Sequence, residues 1–76
     1  MVYHDRIEID LKICSGKPVI RGTRILVTSI LSQLGAGESF ENIRSGFPGL
    51  TDGDIRAAVE FAKESVDATE LTALRD

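Results

Sequence analysis

The sequence predicts a mainly α domain, in which three helices form a trihelical helix-turn-helix core behind a short N-terminal β-hairpin arm. Near the N-terminus, apolar and charged residues alternate as they do in a strand with one buried face. Beyond residue 26, apolar residues recur at helical spacing between capping and turn residues. The 76 residues therefore predict a single domain with an arm (1–26), a helical core (27–66) and a tail (67–76).

The arm is predicted to contain two short strands. Over residues 6–11 the apolar side chains expected to face the core are Ile7, Ile9 and Leu11. A turn at Ser15–Gly16 leads to a second strand at Val19–Ile20, which must begin after Pro18 or lie at a sheet edge, because proline has no amide proton. Gly22 is then expected to turn the chain toward the helices in a conformation that a side chain would forbid.

The first two helices of the core are short. Apolar spacing predicts the first helix over residues 27–34, with Gly35 as its C-terminal stop. The second helix is predicted over residues 40–46, because Ser39 is a good N-cap and the helix must end before Pro48.

The third helix has the strongest local signal. Thr51 and Asp54 have the spacing of a capping box, with aspartate in place of the usual Glu or Gln. One apolar stripe is expected to face the core: Ile55, Ala58, Val59, Ala62 and Val66. Beyond Val66 the stripe breaks, so either the helix ends near Asp67 and the chain frays, or Leu71 and Leu74 serve a partner-binding surface.

The charge is divided unevenly along the chain. The arm carries five basic and three acidic residues, a net charge of +2, and residues 27–76 carry four basic and nine acidic residues, a net charge of −5. A chain with a total charge of −3 is a poor non-specific binder of nucleic acid, since phosphate contacts need clustered Lys and Arg.

Six residues are candidates for contacts with DNA or a protein partner: Lys12, Lys17, Arg21 and Arg24 on the arm, with Thr51 and Arg56 at the third helix. In the other interpretation, Arg21 and Arg24 simply pair with carboxylates of nearby helices. In helix-turn-helix proteins, the N-terminal residues of the third helix enter the major groove. Here Asp52 and Asp54 stand at that end, where carboxylates are unfavourable beside phosphates.

Other classes of site are not predicted. Gly16–Lys17 lacks the upstream glycine and the following Ser or Thr of a phosphate-binding loop, because Leu11 and Pro18 stand at those positions. Cys14 and His4 are the single cysteine and histidine, so neither a disulfide within the chain nor a zinc site is expected. We expect a non-enzymatic protein without a metal or cofactor. No signal peptide or membrane span is predicted, and a cytoplasmic location is expected.

Several segments together resemble the bacterial family known as domain of unknown function 433. The resemblance covers about residues 6–62 and rests on these positions: 13–25, Val27, 47–51, Asp54–Ile55 and Ala57–Ala58. It implies a homeodomain-like helix-turn-helix preceded by a small β element, with no established active site. Two positions depart from the family pattern. Leu26 replaces a common proline, which is expected to lengthen the first helix backward, and Gly53 replaces a usual acidic residue.

The same resemblance implies a function, because some relatives are regarded as VapB-type antitoxins encoded beside a PIN-like ribonuclease toxin. The leading expectation is therefore an antitoxin-like regulator that silences such a toxin and binds its own operator DNA. The alternatives are a stand-alone helix-turn-helix DNA-binding protein and a dimeric scaffold for protein interactions without DNA binding. A homodimer is expected in each case, since so short a chain buries a small core and a hairpin arm has exposed edges.

Overall fold

The computed structural model describes residues 2–69 and contains three helices preceded by a small antiparallel sheet. The elements are β1 (Val2–His4), β2 (Ile7–Glu8), β3 (Val19–Ile20), α1 (Val27–Gly35), α2 (Phe40–Gly46) and α3 (Asp52–Asp67). The prediction of a mainly α fold with a short N-terminal hairpin is confirmed. The predicted partner-binding role of Leu71 and Leu74 lies outside the described residues.

The sheet has the strand order β1-β2-β3. In the predicted hairpin, Ile7 pairs with Ile20 and Glu8 with Val19. β3 starts directly after Pro18, as predicted. Its outer edge is covered by the chain leading into α1, where Val19 bridges Leu26. β1 was not predicted, and it pairs with the other side of β2.

The predicted first strand is shorter than residues 6–11, and Leu11 does not face the core. The chain turns immediately after β2, where the Ile13 amide donates to the Asp10 carbonyl at 2.8 Å and the Lys12 amide donates to Asp10 Oδ1 at 2.8 Å. This turn ends the alternation of a strand, so Ile9 is only half-buried and Leu11 is 86% exposed.

The predicted turn at Ser15–Gly16 is present and is unusually tight. Cys14, Ser15 and Gly16 have φ angles of 49°, 58° and 87°, so two residues with side chains adopt the left-handed conformation that glycine tolerates best. The turn directs the chain back through Lys17 into β3. Gly22, in the turn after β3, has the positive φ expected for it, 79°.

α1 begins at Val27, so the expectation that Leu26 lengthens the helix backward is wrong. Leu26 is extended, with φ −70° and ψ 135°, because it is held in its bridge with Val19. The helix ends at Gly35, but the left-handed residue that closes it is Gly37, with φ 88°. The Gly37 amide donates to the Leu34 carbonyl at 3.0 Å, as in a helix C-cap.

The hydrophobic core draws on the sheet and on all three helices. Its completely buried large side chains are Ile7, Val19, Ile30, Ile43 and Ile55. Leu50, at the entry to α3, is buried in the same cluster, and Phe40, Phe47 and Phe61 pack around it.

Part of the predicted stripe on α3 is wrong. Ile55 and Ala58 are buried, but Val59 is 44% exposed and Val66 is 70% exposed. α3 has 16 residues and α1 has nine, which correspond to lengths of about 24 and 14 Å. The C-terminal half of α3 therefore extends past the elements that would cover its apolar residues.

Candidate functional site

The N-terminal end of α3 is fixed by the predicted capping box. The Asp54 amide donates to Thr51 Oγ1 at 3.1 Å, and the Thr51 amide donates to Asp54 Oδ2 at 3.1 Å. Both carboxylates in this first turn, Asp52 and Asp54, also suit the positive end of the helix dipole. The cap therefore orients the start of α3 and uses one oxygen of Asp54.

The other oxygen of Asp54 accepts a hydrogen bond from the arm. Arg6 Nη1 donates to Asp54 Oδ1 at 3.0 Å, across 48 positions of sequence. The Asp54 side chain is 13% exposed and that of Arg6 is 50% exposed, so the contact is partly screened from solvent. A buried carboxylate with two satisfied oxygens is far less costly than an isolated one.

Gly53 leaves the space that Arg6 occupies. A Cβ atom at position 53 would lie 2.9 Å from Arg6 Cζ, closer than packed atoms come. The guanidinium therefore lies directly over the first turn of α3. This contact gives a physical reason for glycine at a position where it otherwise lowers helix propensity.

The second carboxylate at this end is paired from α2. Arg44 Nε lies 2.9 Å from Asp52 Oδ1, as an ion pair without the geometry of a hydrogen bond. Both side chains are about half exposed, so the pair is worth about 0–1 kcal/mol. It nevertheless joins the end of α2 to the start of α3.

These contacts change the electrostatics expected from the sequence. Asp52 and Asp54 are each paired with an arginine, and Arg56 lies exposed one turn into α3. Three guanidiniums stand against three carboxylates at this end, those of Asp52, Asp54 and Glu60, so its net charge is zero. Arg56 lines a shallow groove of about 360 Å³ with Arg6, Gly53, Ala57 and Glu60. Two of the six candidate residues, Thr51 and Arg56, therefore lie at this end of α3.

The four candidate residues of the arm are exposed and dispersed. Lys12 lies in the turn after β2, and the Arg21 amide donates to the Arg6 carbonyl at 2.8 Å. Lys17 and Arg24 line different grooves. Of these four residues, only Arg21 lies beside Arg6, the arm residue that contacts α3.

The alternative role for Arg21 and Arg24 was to pair with carboxylates of the helices. Neither forms an ion pair with another residue of the range 2–69. Arg6 and Arg44 make those contacts instead, and neither was among the six candidate residues predicted from the sequence. The one local sign of the Arg6 contact in the sequence is Gly53, a glycine in the first turn of an otherwise well-capped helix.

In the described part of the chain, no three His, Cys, Asp or Glu side chains are grouped closely enough to hold a metal ion. Cys14 is a half-buried free thiol whose Sγ lies 3.9 Å from the Arg24 carbonyl oxygen. Over residues 2–69, no helix has the length and apolar character needed to cross a membrane.

The family assignment rests on residues 7–62, which match the model of the family described as a protein of unknown function, DUF433. The chain belongs to the DUF433 family. The matched range runs from β2 into α3, so Gly53 and both acidic residues at the start of α3 lie within the DUF433 region, whereas Arg6 lies one residue before it. No curated protein and no solved structure is significantly similar to the chain.

Proposed function

We propose that the protein is a non-enzymatic, antitoxin-like regulator that binds operator DNA as a homodimer and silences a PIN-like ribonuclease toxin. DNA binding is assigned to the N-terminal end of α3. In helix-turn-helix proteins this end of the third helix contacts base edges, while nearby basic side chains contact phosphates. α2 and α3 are consecutive helices joined by the short segment 47–51, which fits that arrangement.

One observation carries the DNA-binding part. The two carboxylates at the start of α3 are paired with Arg6 and Arg44, which offsets the repulsion that unpaired carboxylates exert on phosphates. Arg56 adds a guanidinium without a partner among the described residues, and Thr51 is the exposed N-cap of the same helix. Glu60 offsets the charge of Arg56, so binding is expected to depend on specific contacts rather than on net charge.

Fluorescence anisotropy with a duplex from the region upstream of the protein's own gene tests this part. Affinity is expected to fall steeply between about 50 and 200 mM salt, because phosphate contacts release counterions. Arg56→Ala is expected to weaken binding about tenfold, equivalent to about 1.4 kcal/mol. Lys63→Ala is the matched control, since Lys63 lies on the same helix but pairs with Asp67 at 3.0 Å near its other end. Absence of binding at low salt contradicts DNA binding.

The toxin-binding part has separate support from the arm. Lys12, Lys17, Arg21 and Arg24 are exposed and form no ion pair with any residue of the described part of the chain. The acidic, metal-binding cleft of a PIN-like ribonuclease is complementary in charge to these four side chains. A guanidinium can form a bidentate pair of hydrogen bonds with a carboxylate of such a cleft. Arg75 was a further candidate for this contact and lies outside the described residues.

Co-expression with the neighbouring gene product tests toxin binding. The two proteins are expected to co-purify, and the neighbour is expected to be toxic when produced alone. Arg21→Ala with Arg24→Ala is expected to abolish co-purification while the circular dichroism spectrum is retained. If the neighbouring gene product is harmless alone and does not co-purify, the toxin-binding part is contradicted. That result does not affect the measurement of DNA binding.

A further inference from the structure

An apolar groove begins directly after the turn at Ser15–Gly16, on which the exposed Leu11 packs. The groove, called here the Lys17 groove, has a volume of about 330 Å³ and lies between α1, α3 and the chain that enters β3. Its lining residues are Lys17, Pro18, Val27, Thr28, Leu31 and Phe61. Val27 is buried, whereas Leu31 and Phe61 remain partly exposed, so the groove has an apolar floor with one cationic side chain at its rim.

Leu11 lies next to this groove. A Cβ atom on Gly16 would lie 3.1 Å from Leu11 Cδ2, so the leucine side chain packs on the residue that directly precedes Lys17. It is nevertheless 86% exposed. Single exposed apolar residues are common on protein surfaces. Leu11 differs because it packs on Gly16, and the next residue, Lys17, lines an apolar groove.

The charges beside these two features are complementary. Asp10 precedes Leu11, and its Oδ1 accepts from the Lys12 amide at 2.8 Å. Lys17 is exposed at the groove rim, and neither Lys17 nor Asp10 forms an ion pair with another residue in the range 2–69. A carboxylate therefore stands beside the protruding leucine, and an ammonium stands beside the groove.

We infer that the Lys17 groove receives Leu11 of a second copy of this chain, with Asp10 of each copy facing Lys17 of the other. A two-fold dimer requires a surface that is complementary to itself, so that every contact occurs twice. A protruding leucine with an acidic neighbour and an adjoining apolar groove with a basic rim meet that requirement. The outer edge of β3 is not available for pairing with a second copy, because the segment leading into α1 already covers it.

Sedimentation velocity of the full chain over a range of concentrations tests this dimer. The wild-type protein is expected to dimerise reversibly, and Leu11→Ser is expected to raise the dissociation constant at least about tenfold, because two leucine side chains per dimer lose their burial. Val66→Ser is the matched control, since Val66 is also exposed but lies near the end of α3. It is expected to leave the dissociation constant unchanged.

A charge exchange separates this pairing from a general loss of apolar surface. Lys17→Asp and Asp10→Lys are each expected to weaken the dimer, and the double variant is expected to recover most of the wild-type affinity. A monomeric wild-type protein at every concentration, an equal effect of Val66→Ser, or no recovery in the double variant overturns the inference. Growth into larger species with concentration also overturns it, because such assembly is head-to-tail. The homodimer is part of the proposed function, but sedimentation involves neither DNA nor toxin, so the failures are distinguishable. In this dimer Lys17 faces Asp10 of the other copy, so contacts with a toxin rest on Lys12, Arg21 and Arg24.

Discussion

The guanidinium of Arg6 lies over Gly53, so closely that a Cβ atom at position 53 would approach Arg6 Cζ to 2.9 Å. From that position Arg6 donates to Asp54, which also closes the capping box of α3. The arm and the start of α3 are thus connected through a glycine, an arginine and an aspartate. Replacing any one of them is expected to affect the other two.

Gly53→Ala is expected to have opposite effects on helix propensity and on the Arg6 contact. Alanine favours a helix by up to about 1 kcal/mol relative to glycine, but its methyl group displaces the guanidinium from Asp54. We expect little net change in the free energy of unfolding in the wild-type background. In an Arg6→Ala background the same substitution is expected to stabilise by about 0.5–1 kcal/mol. Urea denaturation of the four proteins measures this difference, and equal effects in both backgrounds contradict the contact.

The capping box is expected to matter more than the neighbouring ion pair. Thr51→Ala removes one cap hydrogen bond and is expected to cost about 0.5–2 kcal/mol. Asp54→Ala removes both the reciprocal bond and the Arg6 contact, so its cost is expected to be larger. Asp52→Ala, the matched control, leaves the capping box intact, removes the half-exposed pair with Arg44 and one carboxylate at the helix dipole, and is expected to cost about 1 kcal/mol. A larger loss with Asp52→Ala than with Asp54→Ala, measured by urea denaturation, contradicts this order.

The two glycines at the end of α1 are expected to respond oppositely to alanine. Gly35 is helical with open space where a Cβ would lie, so Gly35→Ala is expected to stabilise by about 0.5–1 kcal/mol. Gly37 has a φ of 88°, and Gly37→Ala is expected to destabilise by about 1–2 kcal/mol. Thermal unfolding followed by circular dichroism distinguishes the two. A stabilising Gly37→Ala contradicts the left-handed closure of α1.

Burial on α3 predicts which apolar residues stabilise the fold. Ile55→Ala is expected to cost about 2–5 kcal/mol, since Ile55 is completely buried. That is a large part of the about 4–11 kcal/mol expected for a chain of 76 residues. Val66→Ala is expected to change stability by no more than about 0.5 kcal/mol. Similar losses for both variants in chemical denaturation would place Val66 in the core.

The local features of the fold were predictable from the sequence. Ser39 and Thr51 act as N-caps at the expected positions. α2 ends before Pro48, because the helical conformation is unfavourable for the residue that precedes a proline. Each of these signals depends on residues within about four positions of one another. The same holds for the start of β3 directly after Pro18.

The errors arise where burial depends on distant parts of the chain. Leu11 continues the alternation of Ile7 and Ile9, but the turn at Asp10 removes it from the sheet. Val66 continues the apolar spacing of α3, but no other described element reaches it. Periodicity predicts which residues share a face and does not predict how far that face is covered.

The candidate site was only partly predictable, for a related reason. Thr51 and Arg56 were expected at the start of α3, and that is where they lie. Neutralisation of Asp54 by Arg6 was not predictable, since 48 positions separate the two residues and no sequence motif contains both of them. Arg44 and Asp52 are joined only because α2 and α3 pack at an angle that the sequence pattern does not encode.

In the proposed function, Arg6 supports DNA binding by neutralising Asp54. The most direct measurement is the dissociation constant for the upstream duplex in wild type, Arg6→Ala, Asp54→Asn and the double variant, at one low salt concentration. Arg6→Ala is expected to weaken binding about tenfold, because an unpaired carboxylate then faces the phosphates, and the double variant is expected to return to near the wild-type affinity. An Arg6→Ala protein that binds as tightly as wild type, or a double variant that stays as weak as Arg6→Ala, contradicts the claim.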